Sequence, residues 1–366
     1  MTGTATVVAR KRFDEAMTLF GAGRHGQPSD VAGARARFAE ATDIDPSMAD
    51  AWLGRIATGD ETLPTLQALH SCGSRLHRET NRLGTHLSAA IKAGPYLSIL
   101  VTESSHAGLA LASALVDDGK YGDANALLAD PSLLDTWENH QWQQYIYAYL
   151  MFATQRWPDV IETAAGVLPP QAIIMSAVTA AINALAAHAA AHLGQARVAL
   201  DWASRVELRS GPGLVDPGEF PLIAADLAYV RGMAHRQLGE QEPAEIWLSR
   251  ATINGALIEA AKQALADPAV RLAVTDEDAI NSRADKWDVG TERSEQERHE
   301  EQNRERRDEL LAEGRALLDD QVGLAEVKRA VAELEDQIEV RGLRLAAGLP
   351  VTNQTNHMLL VGPPGT

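Results

Sequence analysis

Apolar residues recur at helical spacing from about residue 10 to residue 266, and Gly or Pro interrupts them roughly every dozen positions. That rhythm predicts paired short helices, because Ala and Leu prolong a helix whereas Gly and Pro end it. Alternation of the β kind is best between Gly94 and the Ser/His turn region after Val101. There Tyr96, Leu97, Ile99, Leu100 and Val101 predict a small hairpin inserted among the helices.

A degenerate repeat runs through the helical stretch. Ala34, Phe38, Ala41 and Pro46 form one copy, with Trp52 where the aromatic of the next would fall; Gly232, Gly239, Ala244, Leu248 and Ala251 form another. Weaker copies are Ala112, Gly119, Tyr121, Ala124 and Leu128; Ala148, Trp157 and Val160; and Ala187, Gly194 and Ala199. Positions 124, 160, 199 and 244 are equivalent, at steps of 36, 39 and 45 residues, near the ~34 of tetratricopeptide repeats. The small residues let two helices approach closely, and one hairpin cannot bury its own apolar face, so several must stack. The fold class expected over residues 1–266 is an all-α tetratricopeptide-like helical repeat with that β-hairpin as an insertion. Residues 55–105 match no copy of the repeat.

Beyond Leu265 the texture changes. Asp267-Pro268 ends a helix, Val270, Leu272 and Val274 lead to Thr275-Asp276-Glu277, which reads as the N-cap of a brief helix, and Trp287 follows. Between Thr291 and Ala312, 13 of 22 residues are charged with both signs mixed, the pattern of a solvated helix or connector. Residues 267–309 are therefore expected to link two domains. A helical pattern returns from Leu310 to Leu349, through Val322, Gly323, Leu324, Val327, Val331, Leu334, Ile338 and Leu345. His357 to Val361 then suits a buried strand, and Gly362, Pro363, Pro364, Gly365 and Thr366 fit the first five positions of a phosphate-binding loop, G-x-x-x-x-G-K-[ST]. In such a loop backbone N–H groups curl around phosphate, the Lys neutralises charge and the hydroxyl holds Mg²⁺. Residues 310–366 accordingly read as the first helix and strand of an α/β P-loop module, with the sequence stopping inside the motif. Without the Lys, the Mg²⁺ ligand and the later acids, these 366 residues are expected to hydrolyse no ATP and to bind no nucleotide themselves. A remnant of that kind is also expected to lack a core of its own.

The chain carries 33 basic and 50 acidic residues, a net charge of −17, which argues against nucleic-acid binding through bulk charge. Its length allows two or three domains. Cys72 is the one cysteine, so no internal disulfide forms, and a reducing, cytoplasmic setting is expected. Pro170 to Ala196 is uncharged, yet its Ala, Gln171, Asn183, His188 and His192 content fits a buried helix better than a membrane span. His188 and His192 have metal-ligand spacing but no third ligand and no neighbouring Glu, so neither a metal nor a catalytic residue is assigned. No G-x-S-x-G elbow occurs. The two helices expected to line an inner groove, Ser104 to Val116 and Ile173 to Leu193, hold Asn183 but no Lys or Arg. A groove for apolar or helical segments is the expectation there, not a cationic clamp for acidic tails.

Several runs resemble the EccA family, the AAA+ ATPases of type VII (ESX) secretion systems, and its ESX-2-like branch in particular. They are Asp45 to Arg55, Arg156 to Val160, Asp267-Pro268 through Arg271-Leu272 to Ser282-Arg283-Ala284-Asp285 and Trp287-Asp288, Val322 to Leu324 with Val327-Lys328, and His357 to Thr366. The resemblance implies a tetratricopeptide-like domain, a linker and an AAA+ module that assembles as a homohexamer, binds ATP and Mg²⁺, and remodels secreted ESX proteins or their cytosolic chaperones. It implies that Gly362 to Thr366 begin the ATP-binding loop and that Val322 and Gly323 lie near the adenine. The residues alone leave a second reading open, a helical-repeat interaction scaffold without a motor.

Overall fold

The structure is a computed structural model that describes residues 3–21, 29–167, 173–206, 216–347 and 349. The described residues form two units, 1–293 and 294–366 by their bounds. The first begins with α1 (Gly3–Phe20), α2 (Val31–Ile44), α3 (Ala49–Ala57), α4 (Leu63–Cys72) and α5 (Arg78–Leu83). The strands β1 (Ala90–Ala93) and β2 (Leu97–Leu100) follow. Eight helices then run in pairs: α6 (Ser104–Asp117) with α7 (Tyr121–Leu128), α8 (Trp137–Ala153) with α9 (Trp157–Ala165), α10 (Ile173–His192) with α11 (Ala196–Ser204), and α12 (Pro221–Gln237) with α13 (Gln241–Leu248). A two-residue hairpin, β3 (Thr252–Ile253) and β4 (Ala256–Leu257), precedes α14 (Glu259–Ala266) and α15 (Glu277–Asn281). The fold is thus the expected helical repeat with an inserted antiparallel hairpin, in which Ala90 pairs with Leu100 and Ala93 with Leu97.

One turn recurs through the four pairs. Gly119, Gln155, Gly194 and Gly239 all have left-handed backbones, at φ of +74°, +52°, +71° and +79°. Each stands five residues before Ala124, Val160, Ala199 or Ala244, which are at most 1% exposed. In each turn the next residue's N–H closes back on the helix, Lys120 to Leu115, Arg156 to Met151, Gln195 to Ala190 and Glu240 to His235, at 2.8 to 2.9 Å. This is the Schellman ending, which satisfies carbonyls that a helix C-terminus would leave bare. The repeat in the sequence is the trace of this cap followed by a close helix crossing.

Residues 267–293, expected as part of a connector, pack on the first unit. Asp276 caps α15 through Ala279 N–H at 2.6 Å, as its sequence position suggested, and Ile280 is fully buried in the main core. The segment visits the repeat in reverse. Arg236 at the end of α12 donates to the carbonyl of Ala264 at 2.8 Å and to those of Val270 and Asp267 at 3.3 and 3.4 Å. Thr275 N–H then reaches His192 O at the end of α10, and the buried Arg283 donates to Thr154 O at the end of α8 at 2.7 Å. Finally Trp287 meets Tyr121 at the start of α7, ring centres 6.4 Å apart.

The second unit holds α16 (Glu295–Asp320) and α17 (Ala325–Ala346). The single helix expected over 310–349 is therefore two. Ser294 and Glu297 form a capping box that starts α16 within the charged stretch, and a break at 321–324, with Gly323 left-handed at φ +90°, separates the helices. Among the described residues after 293 none is buried, and the ion pair Arg315–Glu335 at 2.7 Å joins α16 to α17.

Candidate partner-binding groove

The inner helices do not present an open uncharged groove. Their uncharged character has another cause: α6 is buried from Ser105 to Val116 apart from a half-covered Ala114, and α10 is buried over most of Ala177 to Ala191. The hairpin accounts for part of that burial. Its residues Ile91, Ala93, Leu97 and Ile99 face inward, and both strands pack on α6. Apolar helices were expected to await an apolar partner, and the chain supplies one itself.

Three helices hold the hairpin tip. Gly94 N–H donates to Ser113 Oγ of α6 at 2.8 Å, and Tyr96 N–H donates to Tyr145 Oη of α8 at 3.1 Å. Gly94 combines φ +64° with a contact that a Cβ would spoil, since Tyr145 Oη would lie 2.6 Å from it. The Tyr96 hydroxyl donates to the Asp226 carboxylate of α12, and His188 Nε2 of α10 lies 2.9 Å from the same oxygen. At that distance charge attraction and a hydrogen bond of imperfect alignment together join the pair. Burial pushes His188 down, but Asp226 outweighs it and holds the imidazole above its ordinary value. Burial pushes Asp226 up, and His188 with Tyr96 outweighs that, keeping the carboxyl low. Tyr96 is driven well up by burial and by Asp226, which keeps its proton on oxygen.

His192, one turn beyond His188, is not its co-ligand. Its ring stacks on Trp157 at 4.5 Å with 9° between planes, and its Nδ1 lies 2.8 Å from Ala273 O. Burial and the neighbouring His188 hold its pKa low. No group of three or more metal-ligating side chains occurs among the described residues. Cys72 is buried, and its thiol is pushed up to about 11 by burial, which leaves it protonated and unreactive.

Of the nucleotide-loop candidates, Gly362, Pro363, Pro364, Gly365, Thr366 and the strand from His357 to Val361 lie outside the described residues. Val322 and Gly323 sit in the break between α16 and α17, with the Val322 side chain 97% exposed and open space around Gly323. Sequence reasoning gave no role to Tyr145 or Asp226, and took Tyr96 only as a hairpin residue and Arg283 only as part of the Ser282 to Asp285 run. Asp226 is 130 residues from Tyr96 and no local pattern joins them.

Residues 14–293 match the family described as T7SS, ESX-1 secretion system protein EccA1, N-terminal domain. The ESX-2 secretion system protein EccA2 of Mycobacterium bovis is 56% identical over 98% of this chain and 59% of its own length. The ESX-5 secretion system protein EccA5 of Mycobacterium marinum is 30% identical over 90% of this chain and 52% of its own. The chain thus spans between half and three fifths of these relatives. Among solved structures, the N-terminal domain of EccA1 ATPase from the ESX-1 secretion system of Mycobacterium tuberculosis superposes with a TM-score of 0.64 at 24% identity, over 80% of this chain and all of that one.

Proposed function

Because the chain belongs to the EccA family of type VII (ESX) secretion proteins, we propose that it is the N-terminal recruiting and regulatory region of an AAA+ ATPase whose ATP hydrolysis supports export of ESX-type proteins. The observation that carries the reading is the reach of the similarity to an ESX-2 secretion protein. It takes in 98% of the chain, the repeat unit and the residues past 293 alike.

In this reading the repeat unit holds secreted proteins or their cytosolic chaperones, and Gly362 to Thr366 begin a loop whose backbone N–H groups take ATP phosphates. Val322 and Gly323 suit the edge of a base, since an apolar side chain left 97% exposed beside open space is a surface that a flat ring can cover. The bound Mg²⁺ would supply charge neutralisation at the phosphates. A homohexamer of the whole protein and a cytoplasmic site of action complete the proposal. No described helix is long and apolar enough to cross a membrane, which accords with it.

The test uses the full-length protein and a form lacking residues 1–293, the bounds of the packed unit. The full-length protein is expected to hydrolyse ATP and to retain an ESX partner from cytosol, and the shortened form to lose the partner. Equal retention by both would overturn the recruiting role. Absence of Gly-Lys-Thr or Gly-Lys-Ser after Thr366 in the parent reading frame would overturn the nucleotide half.

A further inference from the structure

A cavity of about 470 Å³ lies where α1, α3 and the segment leading into α5 meet, lined by Arg10, Arg75, Arg78, Asp45, Asp50 and Glu79 among others. That volume is within the ~300–1,000 Å³ of ligand clefts. Its formal charges cancel, but its hydrogen-bonding capacity does not. Glu79 takes Arg10 Nε at 3.0 Å and Arg82 Nε at 2.6 Å. Asp50 accepts the N–H groups of His77, Glu79 and Thr80 at 2.6, 2.7 and 2.9 Å. Asp45 accepts Ser47 N–H at 3.1 Å and Ser47 Oγ–H at 2.6 Å. Every carboxylate lining the cavity is thus engaged from within. Arg75 and Arg78 are exposed and take no partner among the described residues, in a chain of net charge −17 where carboxylates are plentiful.

The backbone between the two arginines is fixed. His77 has a left-handed φ of +65°, costly for a residue with a side chain. Asp50 holds its N–H, and its Nε2 lies 2.6 Å from Thr102 O. Two unpaired guanidinium forks are therefore mounted on a turn whose conformation α3 dictates. Forked N–H donors match a carboxylate in two-point contact.

We propose that this cavity is a binding site for carboxylate groups of a partner polypeptide, with Arg75 and Arg78 as its ligands. A carboxylate suits it better than a phosphate, because Asp45, Asp50 and Glu79 around the cavity repel a second negative charge. The proposal goes beyond the recruiting role and stands without it, since binding is measured on the chain itself.

The experiment is fluorescence anisotropy of the 366-residue chain with labelled hexaglutamate, its C-terminus amidated, and labelled hexaglutamine with a free C-terminus. Binding of either peptide is expected to weaken at least about tenfold in Arg75→Ala/Arg78→Ala, less in Arg75→Lys/Arg78→Lys, and to fall as salt rises. Arg197→Ala, an exposed arginine of α11, should leave it unchanged. Hexaglutamate binding assigns side-chain carboxylates as the source, and hexaglutamine binding a chain terminus. Thermal melts verify that the variants stay folded, as loss of two exposed, unpaired side chains predicts. No binding of either peptide, equal binding by the alanine double variant, or displacement by inorganic phosphate at equal concentration would each overturn the proposal.

Discussion

Gln155 adopts at φ +52° the backbone that Gly119, Gly194 and Gly239 adopt in the other three turns. A side chain in that region costs about 1–2 kcal/mol, and what offsets it is visible: Arg283 donates to the carbonyls of Thr154 at 2.7 Å and of Gln155 at 3.3 Å. The three glycine turns were legible in the sequence. This one was not, because its compensation comes from a residue 128 positions away. Gly119 and Gly239 have open space where a Cβ would stand, so Gly119→Ala or Gly239→Ala should cost only the backbone term, about 1 kcal/mol. Gly94→Ala should cost more, because the Tyr145 hydroxyl must also move. Urea unfolding midpoints would rank the three, and equal losses would show that the Tyr145 contact adds nothing.

At the scale of the element, the β1–β2 hairpin behaves as a fixed insert whose tip reads the charge of α10 and α12. Alternation from Tyr96 to Val101 announced the hairpin through its second strand alone, and alternation says only which face is apolar, not which helices cover it. The polar tip also titrates. Burial opposes the charged form of His188, yet Asp226 raises its pKa above the ordinary ~6.5. Its contribution to stability is therefore complete below that value and is lost as pH rises through the higher folded value. Asp226, lowered overall despite burial, contributes above ~3.9 and loses that contribution as pH falls through its lower folded value. The docked tip should thus be steadiest in mildly acid to neutral solution. The melting temperature of the chain is expected to fall between about pH 6 and pH 9, and to fall less in His188→Gln/Asp226→Asn. An identical slope in both proteins would mean that other groups carry the pH dependence.

For the whole molecule, the sequence placed a domain border at 266, and the packed unit extends to 293. The reason is physical: the strap from 267 to 293 is held largely by arginines bonded to helix-end carbonyls, and hydrophobic periodicity does not register such contacts. Its apolar positions, among them Val270, Leu272, Ile280 and Trp287, are scattered and give no sustained period. Arg283→Met should leave the Thr154 and Gln155 carbonyls and Glu292 Oε2 without a donor and cost about 1–3 kcal/mol. Limited proteolysis should then cut between 267 and 293 faster than in the unaltered chain, and an unchanged rate would refute the strap's dependence on Arg283.

The reverse course of that strap bears on cooperativity. A stack of helical hairpins touching only their neighbours melts from its ends, one unit after another, like a one-dimensional chain of spins. Here Arg236, His192, Thr154 and Tyr121, drawn from four successive hairpins, are all tied to a single returning segment. The last hairpin therefore cannot fray without loosening what also holds the third. Residues 29–293 should consequently unfold in one sharp transition where an open array of the same length would come apart in steps.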